Sequence, residues 1–341
     1  MKKVLVMETG GTFATESSDG VRSLAKKSGI YEFKEVLEKK EKYGFEFEIE
    51  RPIFTLSENM TFDKQRKIIK AIESKDLSEY AGVIVTHGTD TMAFTSNLLS
   101  LYFNDIDTPI VVVGANHPIT MEKSNGPINF LGAIDLIFTE GVRGTFVVYK
   151  KNAIDLKDVE IHLGSRMKQM DQIRDGYDSY RGHIYGRVEN NKVEVFDGVD
   201  FSKKSNYKFD IDKIEEPNIL KFYSYVGLNY EKIDLDSYDA VVVETYHSGT
   251  VNTDDSEPEF SINTLFKRAE ELNIPAFITE VSSSEETYES SENLVKVDNL
   301  KIVYDNSVEN TYVKLQLGLK TFNREELYKF LDDSVFFEKV K

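Results

Sequence analysis

Short runs of apolar residues alternate with longer amphipathic stretches along most of this chain. Residues 4–7 and 82–85 are continuous apolar runs that predict buried strands. Residues 62–74 place Ile68, Ile69 and Ile72 on one face, which predicts a helix. Strands that alternate with helices in this way are typical of a mostly parallel sheet covered by helices. The pattern therefore predicts an α/β fold.

The same alternation continues towards the end of the chain. Further strands are predicted at residues 109–114, 144–149, 240–244 and 276–279, and further helices at residues 91–103, 126–138, 261–272, 307–319 and 324–331. Residues 184–196 alternate around Glu189-Asn190-Asn191 and predict a hairpin. We expect a larger N-terminal catalytic domain (residues 1–205) and a smaller C-terminal α/β domain (residues 219–341). The linker, residues 206–218, lies at the end of a polar stretch.

Composition narrows the classes of function. The chain has 341 residues, enough for two cores, and its 42 basic and 59 acidic residues give a net charge of −17, which repels nucleic acid. It has no cysteine, and its five histidines show no metal-ligand spacing, so we expect neither a metal nor a cofactor. Lys2-Lys3 leads directly into the first strand, and no apolar run approaches membrane-spanning length. We therefore expect a cytoplasmic protein that does not enter the membrane.

Two threonine-bearing segments each follow a predicted buried strand. Gly10-Gly11-Thr12 follows the first strand, and His87-Gly88-Thr89-Asp90 follows residues 82–85. Because the carboxyl ends of parallel strands open into one crevice, we expect two hydroxyls and one carboxylate to meet there. Glycine lets backbone N–H groups approach a ligand closely. The pair of segments therefore suggests a hydroxyl nucleophile, which needs a base from elsewhere in the chain.

Each of these residues also has a purely structural interpretation. Thr12 and Asp90 each stand at a strand-to-helix turn, where either would serve as a helix cap. Lys168 lies among Arg166 and Arg174 and by itself is typical of a solvated surface charge. The functional interpretation depends on all of these residues occurring together.

The segments 9–12 (Thr-Gly-Gly-Thr) and 87–92 (His-Gly-Thr-Asp-Thr-Met) resemble the two signature segments of the bacterial-type L-asparaginases of the cytoplasmic type. Lesser matches follow in the same order as in that family. They lie at residues 56–61, 113–118, 124–129, 143–145, 175–179, 245–250 and 304–309. The resemblance implies an amidohydrolase that converts L-asparagine to L-aspartate and ammonia through a threonine acyl-enzyme.

The resemblance also implies a role for each matching residue. Thr12 matches the nucleophile, while Thr89, Asp90 and Lys168 match the group that handles protons. A lysine can act as a base only if burial lowers its pKa.

Substrate binding is implied for a second set of residues. Ser57 and Asp90 would hold the α-carboxylate and α-amino groups, with Glu58 as a second acceptor for the ammonium. Gly11 and Gly88 complete the substrate-binding set, and backbone N–H groups near Gly11 and Thr89 would stabilise the oxyanion.

The choice of lysine depends on the direction of alignment. Alignment from Asp158-Val159 places Ile161 at the catalytic lysine, whereas counting back from Asp175 and Ser179 selects Lys168. We choose Lys168 because isoleucine cannot transfer a proton. The tyrosine that some family members bring to the nucleophile has no clear match, and Tyr31 is the first tyrosine in the chain.

The resemblance further implies a homodimer or homotetramer in which C-terminal residues reach a neighbour's site. Ser248, Thr250 and Glu285 are the candidates for that contact. Three alternatives stay open: a glutaminase-asparaginase, an amidase subunit of a tRNA-dependent amidotransferase, and a catalytically silent binding protein. The amidotransferase subunits usually carry an extra N-terminal domain, and the acidic charge disfavours tRNA. Intact Thr12, Thr89 and Asp90 disfavour a silent protein, so free asparagine is our expected substrate.

Overall fold

The computed structural model describes residues 2–11, 13, 15–18, 21–24, 29–151, 158–170, 175–203, 205–284, 286 and 288–341, with the backbone alone for residues 15–18 and 21–24. The described chain divides into two compact units. The N-terminal unit comprises Met1–Ile211 with Val335–Phe337, and the C-terminal unit comprises Asp212–Ser334 with Glu338–Lys341.

An eight-stranded sheet forms the centre of the N-terminal unit. In chain order its elements are β1 (Lys2–Glu8), β2 (Thr15–Ser18), β3 (Val21–Leu24), α1 (Lys34–Tyr43), β4 (Phe45–Glu50), α2 (Phe62–Glu73), β5 (Tyr80–Thr86), α3 (Met92–Tyr102), β6 (Ile110–Val113), α4 (Gly126–Ile137), β7 (Thr145–Tyr149), β8 (Val159–Leu163), β9 (Met167–Lys168), β10 (Asp178–Ser179), β11 (Gly186–Glu189) and β12 (Lys192–Val195). The strand order is β12-β11-β8-β7-β6-β5-β1-β4, and the pairs β2–β3 and β9–β10 stand apart from this sheet.

Strand direction is the same over five neighbouring strands of this sheet and alternates at one edge. The strands β4, β1, β5, β6 and β7 pair in parallel, whereas β8, β11 and β12 are added antiparallel at one edge. All four residues of β6 are buried, as expected for a strand with helices on both faces. The helix α2 buries Ile68, Ile69 and Ile72, and α3 and α4 are buried along most of their length. This arrangement confirms the predicted mostly parallel sheet flanked by helices.

The C-terminal unit contains a smaller parallel sheet of four strands in the order β13-β14-β15-β16. Its elements are β13 (Ile219–Tyr223), β14 (Ala240–Glu244), α5 (Ile262–Glu271), β15 (Ala276–Val281), α6 (Glu289–Glu292), β16 (Leu300–Tyr304), α7 (Val308–Gly318) and α8 (Arg324–Asp332). A separate apolar core, with Val241, Val243 and Phe266 fully buried, fills the space between this sheet and α5. The second α/β unit predicted from the sequence is confirmed.

The segment Val335–Phe337 belongs to the N-terminal unit although it follows the last helix of the chain. Phe336 is buried in the core of that unit, where its ring stacks with Phe201 at a centroid distance of 6.2 Å. Ser165 Oγ donates to the Phe336 carbonyl at 2.6 Å, and Arg166 Nε donates to the Phe337 carbonyl at the same distance. These contacts attach a late segment of the chain to the first unit.

A fully buried ion pair holds the end of the C-terminal unit. Lys314 Nζ lies 2.6 Å from Glu338 and donates to the carbonyls of Phe330 and Asp333. A buried charge pair is stable only when its remaining hydrogen-bonding capacity is also satisfied.

In the described part of the chain, no helix is both long enough and apolar enough to cross a membrane.

Candidate active site

Three segments meet at the carboxyl ends of β1 and β5. Thr9 donates from its N–H and its Oγ1 to the Thr86 carbonyl, at 3.3 and 2.7 Å. On the other side, Thr55 N–H donates to the Thr9 carbonyl at 3.0 Å, and Gly11 N–H donates to the Thr55 carbonyl at 3.1 Å. The first glycine turn is therefore held between the end of β5 and the segment that follows β4.

The two glycines of this turn are required by its geometry. Gly10 and Gly11 have φ of +105° and +66°, values that side chains rarely permit. A Cβ on Gly11 would lie 2.4 Å from the Gly88 nitrogen and 2.6 Å from its Cα, and one on Gly10 would lie 2.3 Å from the Thr55 carbonyl oxygen. The segments are therefore packed backbone against backbone.

The predicted nucleophile, Thr12, lies outside the described residues, so its role stays a prediction. The residues on either side of it, Gly11 and Phe13, are both buried. The Phe13 ring contacts Phe130 of α4 at a centroid distance of 6.2 Å.

Ser57 joins the site to the second threonine segment. Its Oγ donates to Asp90 Oδ2 at 2.7 Å and accepts from the Asp90 N–H at 3.2 Å, while Thr91 Oγ1 donates to the Ser57 carbonyl at 2.9 Å. Ser57 is buried, whereas Asp90 and Glu58 are exposed. A Cβ on Gly88 would lie 2.5 Å from Ser57 Oγ. The fold thus brings together residues predicted to bind one small ligand, with carboxylates open to solvent.

Two donors converge on the backbone carbonyl of Thr89. The Tyr177 hydroxyl donates to it, and Gln169 Nε2 donates to it at 3.2 Å. One residue before Lys168, the Met167 carbonyl accepts from Asn97 of α3 at 3.0 Å. The backbone of β9, which carries Lys168, is therefore held beside the Thr89 segment.

The alternative position for the lysine lies elsewhere. Ile161 is fully buried in β8, where it pairs with Val148 and Gly186 inside the large sheet. Lys168 is only partly buried. These placements favour Lys168, which stays a prediction as the catalytic base.

A polar network that was not predicted from the sequence lies behind Tyr177. The Tyr149 ring packs edge-on against Tyr177 at 5.0 Å, and its hydroxyl donates to Asp175 at 3.1 Å. Asp175 also accepts from Asn116, which exchanges backbone-to-side-chain hydrogen bonds with Asn125. Burial raises the pKa of both tyrosines above the usual value, so each hydroxyl stays protonated and donates. Tyr177 and Asp175 lie in the matched segment 175–179, which was the only signal for them.

His87 is buried at the end of β5. Its Nδ1 lies 2.7 Å from the Gly88 carbonyl, and because a carbonyl only accepts, Nδ1 carries the proton. Burial lowers the pKa of His87 to about 4, so the ring is neutral near pH 7.

Tyr31, the first tyrosine in the chain, is bound to a carboxylate. Its hydroxyl donates to Glu8 at 2.8 Å, and Arg51 Nε donates to the other oxygen of Glu8 at 2.5 Å. Burial, reinforced by the Glu8 charge, raises the pKa of Tyr31 far above its usual value. A protonated hydroxyl that already donates to Glu8 is poorly suited to accept a proton from a nucleophile.

The C-terminal candidates lie in the C-terminal unit. Ser248 Oγ and Thr250 Oγ1 are 3.0 Å apart, and Glu285 lies outside the described residues. Their contact with a neighbouring protomer stays a prediction. Across the described ranges, no group of three or more His, Asp or Glu side chains is arranged to hold a metal ion.

Comparisons with known proteins give a consistent assignment. The family model described as the N-terminal region of asparaginase matches residues 3–200. One subunit of the glutamyl-tRNA(Gln) amidotransferase from Methanosphaera stadtmanae is 27% identical over 81% of this chain and 63% of its own length. The L-asparaginase of Thermococcus kodakarensis is 25% identical over 73% of this chain and 72% of its own length.

Solved structures show the same fold. The thermostable L-asparaginase from Thermococcus kodakarensis aligns with a TM-score of 0.78 and 22% identity, covering 99% of both chains. The chain spans 63% and 60% of the length of the first two amidotransferase subunits that it matches. Because the family model covers more than half of the sequence, this chain belongs to the asparaginase family.

Proposed function

We propose that this protein hydrolyses L-asparagine to L-aspartate and ammonia through an acyl-enzyme on Thr12. The observation that carries the proposal is the meeting of Ser57 with the Thr89–Asp90 segment, against the Gly11 turn. Ser57 follows β4 and Thr89 follows β5, and β1, which leads into the Gly11 turn, lies between these two strands. Crevices at the carboxyl ends of such strands are the usual ligand sites of open α/β sheets.

The amino-acid head group of the substrate would bind first. The Ser57 hydroxyl and nearby backbone N–H groups suit an α-carboxylate, and the exposed carboxylates of Asp90 and Glu58 suit an α-ammonium. These contacts would fix the distance from the head group to the side-chain amide.

The reaction then needs two displacements at the amide carbon. Lys168, as a neutral amine, would take the Thr12 proton through Thr89 while Thr12 Oγ1 bonds to the carbonyl carbon. Backbone N–H groups near Gly11 and Thr89 would stabilise the oxyanion, each by roughly 3 kcal/mol. Breakdown of this tetrahedral intermediate cleaves the C–N bond and passes the proton held by Lys168 to the leaving nitrogen, which departs as ammonia. Water then attacks the ester, releases aspartate and restores the Thr12 hydroxyl.

Asparagine is expected to be preferred over glutamine. One additional methylene displaces the scissile carbonyl from Thr12 when the head group stays on Ser57, Glu58 and Asp90, a difference worth roughly 1–3 kcal/mol. The measurement is kcat/KM for both amino acids in one buffer, by ammonia release from the purified chain alone. Equal values would instead identify a glutaminase-asparaginase.

The same assay separates the remaining candidates. An amidotransferase subunit is the second candidate, because proteins of that name are among the relatives and this chain spans about three fifths of their length. Ammonia release from free asparagine, with no other protein or RNA present, supports the hydrolase. Inactivity on both amino acids favours a larger amide substrate, and asparagine binding without turnover indicates a silent binding protein.

We propose a homodimer or homotetramer as the working assembly, with Ser248, Thr250 and Glu285 contributing to a neighbour's site. Light scattering at assay concentrations is expected to give a mass of two or four chains. A fully active monomer would contradict this assembly.

A further inference from the structure

One peptide unit of the active site is held at both of its ends by side chains. Its carbonyl belongs to Thr89 and accepts from Tyr177 and Gln169. Its N–H belongs to Asp90 and donates to Ser57 Oγ at 3.2 Å. Because a peptide unit is planar, the direction of the carbonyl fixes the direction of the N–H.

Tyr177 is suited to this task by its environment. It is fully buried, and its ring packs edge-on against Tyr149 at 5.0 Å. Its hydroxyl stays protonated because burial raises its pKa, and a carbonyl only accepts, so the direction of this hydrogen bond cannot reverse.

The contact extends through Ser57 to the exposed carboxylate of the site. Ser57 Oγ accepts from the Asp90 N–H and donates to Asp90 Oδ2 at 2.7 Å. A rotation of the peptide would withdraw the N–H from Ser57 and release the serine from the position that orients Asp90. The segment between β5 and α3 contains a short 3₁₀ turn, Thr89–Thr91, which includes this peptide.

We propose that Tyr177 is a positioning residue of the active site. Through the Thr89 carbonyl it orients the Thr89–Asp90 peptide, and through that peptide it orients Ser57 and the Asp90 carboxylate towards the substrate head group. The proposal rests on the proposed amidohydrolase function for its kinetic consequence, but the orientation itself is independent of the reaction.

The kinetic test compares two buried tyrosines that touch each other. Tyr177→Phe removes the hydroxyl that donates to the Thr89 carbonyl. The matched control, Tyr149→Phe, removes the hydroxyl that donates to Asp175. We expect Tyr177→Phe to lower kcat/KM for asparagine about tenfold, the order of one net hydrogen bond, and Tyr149→Phe to change it less than about twofold. Melting temperatures of both variants report any shared loss of packing.

A double-mutant cycle shows whether the effect passes through Ser57. If it does, Tyr177→Phe costs much less activity in a Ser57→Ala background than in the wild-type chain, because the contact it supports is already gone. Additive effects, or equal losses in Tyr177→Phe and Tyr149→Phe, would overturn the proposal.

Hydrogen exchange supplies a readout that does not need activity. The backbone amides of a peptide covering residues 87–91 should exchange faster in Tyr177→Phe than in the wild-type chain. Their exchange rates should be the same in Tyr149→Phe as in the wild-type chain. If the wild-type chain hydrolyses no amide, the proposed function fails while this comparison still decides the positioning role. Unchanged exchange in Tyr177→Phe would refute that role.

Discussion

Replacing Lys168 by methionine is expected to lower turnover with L-asparagine by about three orders of magnitude or more, with the fold intact. Methionine keeps much of the length and apolar stem of lysine but cannot accept or donate the proton that the Thr12 hydroxyl would lose in the proposed reaction. Lys168 is partly buried in the two-residue strand β9, so the substitution removes little core packing. The measurements are kcat by ammonia release and the melting temperature of the same samples.

The control is Lys192→Met, which replaces an exposed lysine in β12 and should leave turnover unchanged.

Thr12→Ala and Thr89→Val should each cause a loss of turnover comparable with that of Lys168→Met. Combining them should add little, because residues that act as one catalytic unit are not additive. Near-normal turnover in Lys168→Met would mean that another group is the base.

Gly11→Ala is expected to abolish measurable activity and to lower the melting temperature strongly. At this position two costs combine: a left-handed φ of +66° and a Cβ only 2.4 Å from the Gly88 nitrogen. The second cost cannot be relieved by rotating a side chain, because the colliding atoms are backbone. The two loops must therefore separate, which moves the Gly11 turn away from Gly88 and from the adjoining Ser57–Asp90 contact.

Gly44 offers a closely matched control. It also has φ of +66°, but it ends α1 in open space with nothing within 4 Å of an added Cβ. Gly44→Ala should therefore lower the free energy of unfolding only by the left-handed strain of alanine, about 1–2 kcal/mol, and the variant should keep its activity. The measurements are the free energy of unfolding and kcat of both variants. The difference between the two variants gives the effect of the close approach between the Gly11 and Gly88 loops, because both positions share the same φ. Equal losses in the two variants would argue against it.

The sequence predicted elements well where a periodic pattern was long. The helices at residues 62–74, 91–103 and 126–138 appear in the structure within a few residues of the predicted bounds. By contrast, α1 and β4 were missed. The helix α1 buries only Val36 and Lys39, and such a polar helix gives little apolar periodicity. The edge strand β4 alternates Phe and Ile with Glu, the pattern of a half-exposed strand.

The site was predictable to the extent that strand ends determine it. The meeting of the Gly11 turn with Gly88 and Asp90 follows from the parallel pairing of β1 with β5. The contacts of Tyr177 and Gln169 with Thr89 could not be predicted in this way, because they join residues 80 or more positions apart outside regular elements. The strand β9 is two residues long and is defined by its pairing with β10, so no local sequence pattern predicts it.

The placement of Phe336 has a consequence for how the chain is made. Phe336 fills part of the core of the N-terminal unit, yet about 120 residues of the C-terminal unit are synthesised between Ile211 and Val335. At typical translation rates this interval lasts on the order of ten seconds. During that time Phe336 is not available to pack against Phe201, so the apolar surface that it covers in the folded unit lacks this cover. Completion of the first unit therefore waits until most of the second unit has been synthesised.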